Sequence, residues 1–388
     1  MSIPSDRTRL ISSATRRGGG RRSVSPPIER ASTMLSDSAG AMRDPSLGPI
    51  YGLDGGSAAQ ALRQAIADLE GATEAWLVPS GLAAVTAPLT ALLRPGDEVI
   101  ATDAVYGPSR RFITRWLGAR GVTSTFHPAD ASADAIAGLI TARTRLILIE
   151  SPSSLTFEVI DVARLAEAAR ARGVLTVMDN TWGAGLAFKP LAHGIDVSVQ
   201  AVTKYAAGHS DLLMGAIAVK DLDVGRQIDG TLEDMGWHVS PDDAWLALRG
   251  IRTLPLRYAE QARSALKIAE WLRNRPEIAA VLYPPLKTDA AHAIWRRDYC
   301  GAASVMGLVM RGVDAAAAER FLDGLSLFGL GWSWGGFESL ATHETGQLAH
   351  RLHPPALRGE LLRLHVGLED PDDLIIDLER GLAAWRGG

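Results

Sequence analysis

From Ser57 to Gly250 the chain alternates between two hydrophobic rhythms. Ala58 to Glu70 places Ala, Leu and Ile at helical spacing, and Val162 to Arg172 is a helical segment rich in Ala, Arg and Glu. Short strand patterns lie between them. Asp97 to Ala101 follows the turn Pro95-Gly96. Arg145 to Glu150 (RLILIE) is a continuous apolar run of the kind buried on both faces. Thr176 to Trp182 (TVMDNTW) and the run that starts at Val197 read as two more strands. Strands alternating with helices predict a mostly parallel sheet sandwiched by helices, an α/β fold.

The rhythm changes on either side. Up to Gly56 the chain is rich in Arg, Ser, Gly and Pro with little periodicity, and reads as an extended arm. After Gly250, the helical patterns Tyr258 to Arg273 and Ala315 to Leu325 mix with the strand-like runs Val305 to Met310 and Leu361 to Val366. That mixture predicts a smaller α+β domain. The expected organisation is an arm over residues 1–56, a large domain over 57–250 and a C-terminal domain over 251–388.

Two polar residues interrupt the apolar strands. VSVQAVTKYAAGHSD, from Val197 to Asp211, delivers Lys204, flanked by Thr203 and Tyr205, into a Gly/His/Ser/Asp loop. A lysine ending a buried strand is costly unless its amine is neutralised, paired or covalently used. Two roles are open to it: a strand-end lysine that reaches water, or the Schiff-base lysine of pyridoxal 5′-phosphate (PLP). Asp179 lies one strand-turn-strand unit earlier. Asp-Asn is a common turn or cap pair. A PLP site, in turn, needs a carboxylate against the pyridine nitrogen so that the ring accepts electrons. The two residues together favour PLP.

Composition narrows the class. With 388 residues, 47% of them hydrophobic, the chain can bury a large core in more than one domain. A net charge of -4 gives no global electrostatic case for nucleic acid. Cys300, the one cysteine, excludes an intramolecular disulfide and a cysteine metal cluster, and nothing beside it suggests an activated nucleophile. His292, His343, His350 and His353 lack metal-ligand spacing, so no metal is expected; His209 follows Lys204 closely enough to stand behind it. No apolar stretch approaches the roughly 18 to 20 residues of a spanning helix, and the N-terminus lacks a secretory apolar core. A cytoplasmic protein without a membrane partner is expected. Arg7, Arg9, Arg16, Arg17, Arg21, Arg22 and Arg30, interrupted by Gly18 to Gly20, suggest a solvated arm that orders against a partner subunit; a transit peptide and an anion-binding arm are the other readings.

Six segments then occur in a telling order: ESP at Glu150 to Pro152, DNTW at Asp179 to Trp182, QAVTKY at Gln200 to Tyr205, GHSD at Gly208 to Asp211, SWGGFESL at Ser333 to Leu340 and RLHVGLED at Arg363 to Asp370. From roughly Ile28 to Trp385 the chain resembles the cystathionine β-lyases, within the PLP-dependent enzymes of cysteine and methionine metabolism. The resemblance implies a fold-type I PLP-dependent transferase-like fold and a homotetramer built from two active dimers.

It also implies roles, each with a physical case and a plainer alternative. Lys204 resembles the Schiff-base lysine, which once freed moves protons at the substrate, and Asp179 the partner of the pyridine nitrogen. PSGL, Pro79 to Leu82, opens an apolar helix, so the N–H groups of Gly81 and Leu82 can hold the cofactor phosphate; an ordinary cap is the alternative. Thr203 is placed to donate a hydroxyl to the same phosphate. Tyr106, in DAVYGP, resembles the tyrosine that stacks on the cofactor ring, or is a packed loop aromatic. Arg363 resembles the arginine that grips the substrate α-carboxylate; a surface arginine is the alternative, although LLRLHV is an apolar strand. Tyr51 resembles a tyrosine reaching the neighbouring subunit's site, or is an interface aromatic. Ser333 resembles a residue that orients the carboxylate, and Trp334 a specificity residue or a packing tryptophan.

Three positions depart from the pattern. Many relatives carry Tyr-Gly-Arg in the arm, whose arginine pairs with the neighbouring cofactor's phosphate; here YGLDGG puts Leu53 there, with Asp54 beside it. Gly56 stands where threonine is common, and Ala201 where γ-acting relatives usually have serine. The expected activity is C–S β-elimination of cystathionine or another amino-acid thioether. The alternatives are a γ-acting synthase or lyase and a non-catalytic PLP-binding regulatory protein.

Overall fold

A computed structural model describes residues 5–12, 23–312 and 314–387. Seven strands form the central sheet: β1 (Glu74–Val78), β2 (Glu98–Thr102), β3 (Thr123–His127), β4 (Thr144–Glu150), β5 (Leu175–Asp179), β6 (Val197–Ala201) and β7 (Gly215–Val219). Their order is β1-β7-β6-β5-β4-β2-β3, and only β7 runs against its neighbours. The RLILIE run explains itself here. Ile147 and Ile149 face one core with Leu62, Ile66 and Leu165 of the helices Ser57–Glu70 and Val162–Arg170. Leu146 and Leu148 face the other, with the helices Gly81–Leu92 and Leu222–Met235. Both faces are buried, so no polar alternation survives. The fold is α/β with a mainly parallel central sheet, as expected.

Parallel strands finish at one edge of a sheet, where open α/β folds bind ligands. Glu150, Asp179 and Ala201 end β4, β5 and β6 at that edge. TVMDNTW is therefore shorter as a strand than its apolarity suggests. Thr181 turns back to donate its N–H and hydroxyl to Asp179 Oδ1, at 2.9 and 2.5 Å, which ends β5 at the aspartate.

The second sheet comprises β8 (Ile278–Leu282), β9 (Val305–Met310), β10 (Gly329–Leu330), β11 (Leu340–His343) and β12 (Leu361–His365), in the order β10-β11-β12-β9-β8. The helices Leu254–Leu272, Ala315–Asp323 and Pro371–Arg386 accompany it. The helix Pro241–Ile251 spans position 250 and packs on Ser57–Glu70.

The arm is more structured than its composition suggests. Asp6–Ser12 is a helix whose Leu10 is only 1% exposed, and Lys189 ties it down through Asp6 at 3.0 Å. A seven-residue helix with one buried side chain leaves no periodicity to detect. Further on, Arg30 pairs with Asp242, Arg252 donates to Ser25 Oγ and Trp245 donates to the Pro26 carbonyl. Arg16, Arg17, Arg21, Arg22 and Gly18 to Gly20 lie outside the described residues. Among the described residues, no helix is long and apolar enough to cross a membrane, and no group of three or more His, Cys, Asp or Glu could hold a metal ion.

Candidate active site

Three residues past β6, Lys204 sits in a turn closed by its N–H on the Ala201 carbonyl. Its amine donates to Ser333 Oγ at 2.6 Å and lies 5.1 Å from the Trp334 ring centre. Burial, helped by the nearby Arg363 charge, pulls the amine down to about 8, against the pull of Asp179. A fraction of it is therefore neutral near pH 7 and able to take a proton.

Asp179 is enclosed, and burial raises its carboxyl despite the two bonds from Thr181 and the charge of Lys204. Both Thr181 bonds fall on Oδ1, and among the described residues no donor reaches Oδ2. Glu150 pairs with Asp179 in register across β4 and β5, and burial, then Asp179, drives its carboxyl well above the usual range. Glu150 Oε2 accepts the Tyr106 N–H at 2.7 Å, which anchors the Tyr106 loop beside the strand ends. Burial raises the Tyr106 hydroxyl, with Glu150 and Asp179 adding to the effect.

The helix Gly81–Leu92 points its N-terminus at the same edge. Ser80 caps it, taking the Ala83 N–H on its hydroxyl and the Ala84 N–H on its carbonyl. Among the described residues, that leaves the N–H groups of Gly81 and Leu82 without an acceptor. Gly81 lies so close to β6 that a Cβ there would sit 2.4 Å from the Ala201 methyl. An amine, a buried carboxylate oxygen without a donor and two free N–H groups match the aldehyde, pyridine nitrogen and phosphate of PLP, so these residues fit that cofactor.

The comparisons agree with this geometry. The profile of the family described as Cys/Met metabolism PLP-dependent enzyme matches residues 7–383. A cystathionine beta-lyase of Bordetella avium is 41% identical over 367 residues, covering 92% of each chain. The cystathionine beta-lyase MetC of Escherichia coli is 38% identical, covering 93% of each. The crystal structure of a cystathionine gamma synthase from Xanthomonas oryzae, in complex with aminoacrylate and cysteine, superposes with a TM-score of 0.92 at 31% identity over 99% of both chains.

The chain belongs to the PLP-dependent enzymes of Cys/Met metabolism. PLP is its cofactor, and it is a lyase of that family.

Within this family setting the remaining candidates divide. Arg363, in β12, is nearly enclosed, and its Nη1 stands 3.3 Å from Glu344 Oε1. Thr203 is already engaged: its hydroxyl donates to the Met214 carbonyl at 3.1 Å and accepts the Met214 N–H at 2.9 Å. It reaches a phosphate only by giving up the Met214 carbonyl. Tyr51 is half exposed on the arm and bridged to Thr33. Asp54 is turned to the N–H groups of Ile50 and Tyr51, at 2.8 and 3.1 Å, while Leu53 is exposed. His209 bonds the Ala207 carbonyl of its own loop.

Four partners went unassigned in the sequence. Glu344 is fully buried and receives Thr342, Gln347 and Arg363. Glu150 lay in the ESP segment, but nothing local marked its carboxylate as a neighbour of Asp179. Glu70 ends an ordinary amphipathic helix, yet it takes Asn180, Ser198 and Gln200 beneath the strand ends, and burial pushes it up to about 7. His365 was visible in RLHVGLED without a partner to give it meaning.

Proposed function

We propose that the chain is a C–S β-lyase that cleaves L-cystathionine, or a related cysteine S-conjugate, with one water, to a thiol such as homocysteine, pyruvate and ammonia. The observation that carries this reading is the Lys204 amine, held by the Ser333 hydroxyl and kept part neutral by burial under the opposing pulls of Arg363 and Asp179. A single proton carrier of that kind is what β-elimination needs: it takes the Cα proton and returns one to the leaving sulfur. PLP, when bound, supplies the electron sink that stabilises charge at Cα. Asp179 would pair with the pyridine nitrogen, Gly81 and Leu82 would hold the phosphate, and Tyr106 would pack against the cofactor ring. Arg363 grips the substrate α-carboxylate, Ser333 orients it and stations the free amine, and Trp334 shapes the distal side. Tyr51 and the exposed arm are assigned to a neighbouring subunit's site in a cytoplasmic homotetramer, with the arm, PLP-binding and C-terminal divisions at residues 56 and 250. The likeness to a gamma synthase and a gamma-lyase makes a γ-acting relative, a cystathionine γ-synthase or γ-lyase, the second reading.

The phosphate site has its own test. Gly81→Ala drives a methyl into Ala201 and tilts the two free N–H groups away. Losing one charge-assisted bond of roughly 1.5–3 kcal/mol raises the PLP dissociation constant about ten- to a hundredfold. Equilibrium dialysis checks it, and unchanged retention would place the phosphate elsewhere. For the substrate, a panel of cysteine S-conjugates scored for thiol release tests the reading; release of no thiol from any member contradicts it.

A further inference from the structure

Behind the Lys204 site lies a buried histidine that the proposed chemistry does not use. His365 ends β12 with no exposed surface. Its Nε2 lies 3.0 Å from the Gly335 N–H and 3.2 Å from the Gly336 carbonyl. On the other side Nδ1 lies 3.2 Å from Ser304 Oγ, which stands 3.2 Å from the Tyr205 hydroxyl. The Ser304 N–H also donates to that hydroxyl, at 2.7 Å. A neutral ring fits both flanks. One tautomer donates to Gly336 and takes the Ser304 proton; the other takes the Gly335 N–H and donates to Ser304. An imidazolium could accept neither, and burial, supported by the charges of Arg363 and Lys204, pushes the ring down to about 3.

What this ring holds is strained and close to Lys204. Ser333 adopts φ 114°, a conformation costly for a residue with a side chain and kept only where surroundings over-determine it. Gly335, at φ 84°, presses so tightly on the turn that a Cβ would lie 2.9 Å from Tyr205 N and 3.1 Å from Lys204 Cβ. Gln261 grips the Gly336 carbonyl as a second hand at 2.5 Å. The loop Ser333–Gly336 is thus clamped between His365 behind and Lys204 in front.

We infer that His365 is a positioning residue: by holding Gly335 and Gly336 it sets Ser333 and Trp334 on the Lys204 amine and fixes where that amine delivers its proton. The inference rests on Lys204 being the cofactor's lysine. The test uses the full chain loaded with PLP. His365→Phe keeps the ring's bulk and removes both nitrogens. The visible circular dichroism of the bound cofactor is expected to change, and kcat to fall about tenfold with KM within about threefold, the scale of one or two lost hydrogen bonds. His365→Gln, which restores a donor and an acceptor, recovers most of both. A His365→Phe protein with the parent's dichroism and kcat overturns the inference. If that variant does not fold, Ser304→Ala removes only the hydroxyl behind Nδ1. It should shift the dichroism in the same sense, and a folded Ser304→Ala protein indistinguishable from the parent overturns the inference equally. The dichroism is read without substrate, so a wrong substrate assignment leaves it intact, and a wrong cofactor lysine shows separately as a reducible adduct that survives Lys204→Ala.

Discussion

Lys204→Ala is expected to abolish turnover and to remove the borohydride-reducible link between protein and PLP. The amine has two duties in this account, cofactor attachment and proton transfer at Cα and sulfur. Proton transfer alone is worth about 10²–10⁴-fold, and covalent attachment adds to it. The loop survives the change: the amine's bond to Ser333 Oγ is lost, but His365 and Gln261 still hold Gly335 and Gly336 behind it. The variant should therefore fold, and lose the yellow of the parent's protein-linked cofactor. A reducible adduct in Lys204→Ala would mean that another lysine carries PLP.

Arg363 is expected to give the next largest effect, and one that splits in two. On the proposed reading Arg363→Ala loses a bidentate grip on the α-carboxylate, so KM should rise and kcat fall as the Cα–H bond loses alignment. The loss in kcat/KM should reach about ten- to a hundredfold, from a charge-assisted contact of roughly 1.5–3 kcal/mol. The same change strands Glu344, which is fully buried and, among the described residues, keeps only Thr342 and Gln347 as donors. An uncompensated buried charge lowers stability, so the melting temperature should fall as well. Arg363→Lys separates the effects. It retains a charge for Glu344 and recovers stability, yet an ammonium lacks the planar fork and recovers little kcat/KM. Parent kinetics in both variants would make Arg363 a structural ion-pair member only.

Much of this site was legible because its residues violate the pattern around them. Lys204 and Asp179 interrupt apolar strands, and such interruptions are costly enough to demand a reason. The sheet was legible for the opposite cause: RLILIE and its neighbours are apolar on both faces, which only a covered parallel sheet accommodates. Contacts between distant segments were not legible. Glu344, just past β11, meets Arg363 of β12, Glu70 meets Gln200 over 130 positions, and His365 meets a loop 30 positions earlier. No local rhythm encodes those meetings. Thr203 shows the converse: its place beside Lys204 suggested a phosphate donor, while its geometry spends the hydroxyl on Met214.

The central claim is β-elimination, and the identity of the keto acid made from L-cystathionine tests it most directly. Cleavage of the Cβ–S bond yields pyruvate and homocysteine in equal amounts with one ammonia, and that is the expected result. Formation of 2-oxobutanoate with cysteine would show cleavage on the γ side and contradict the account.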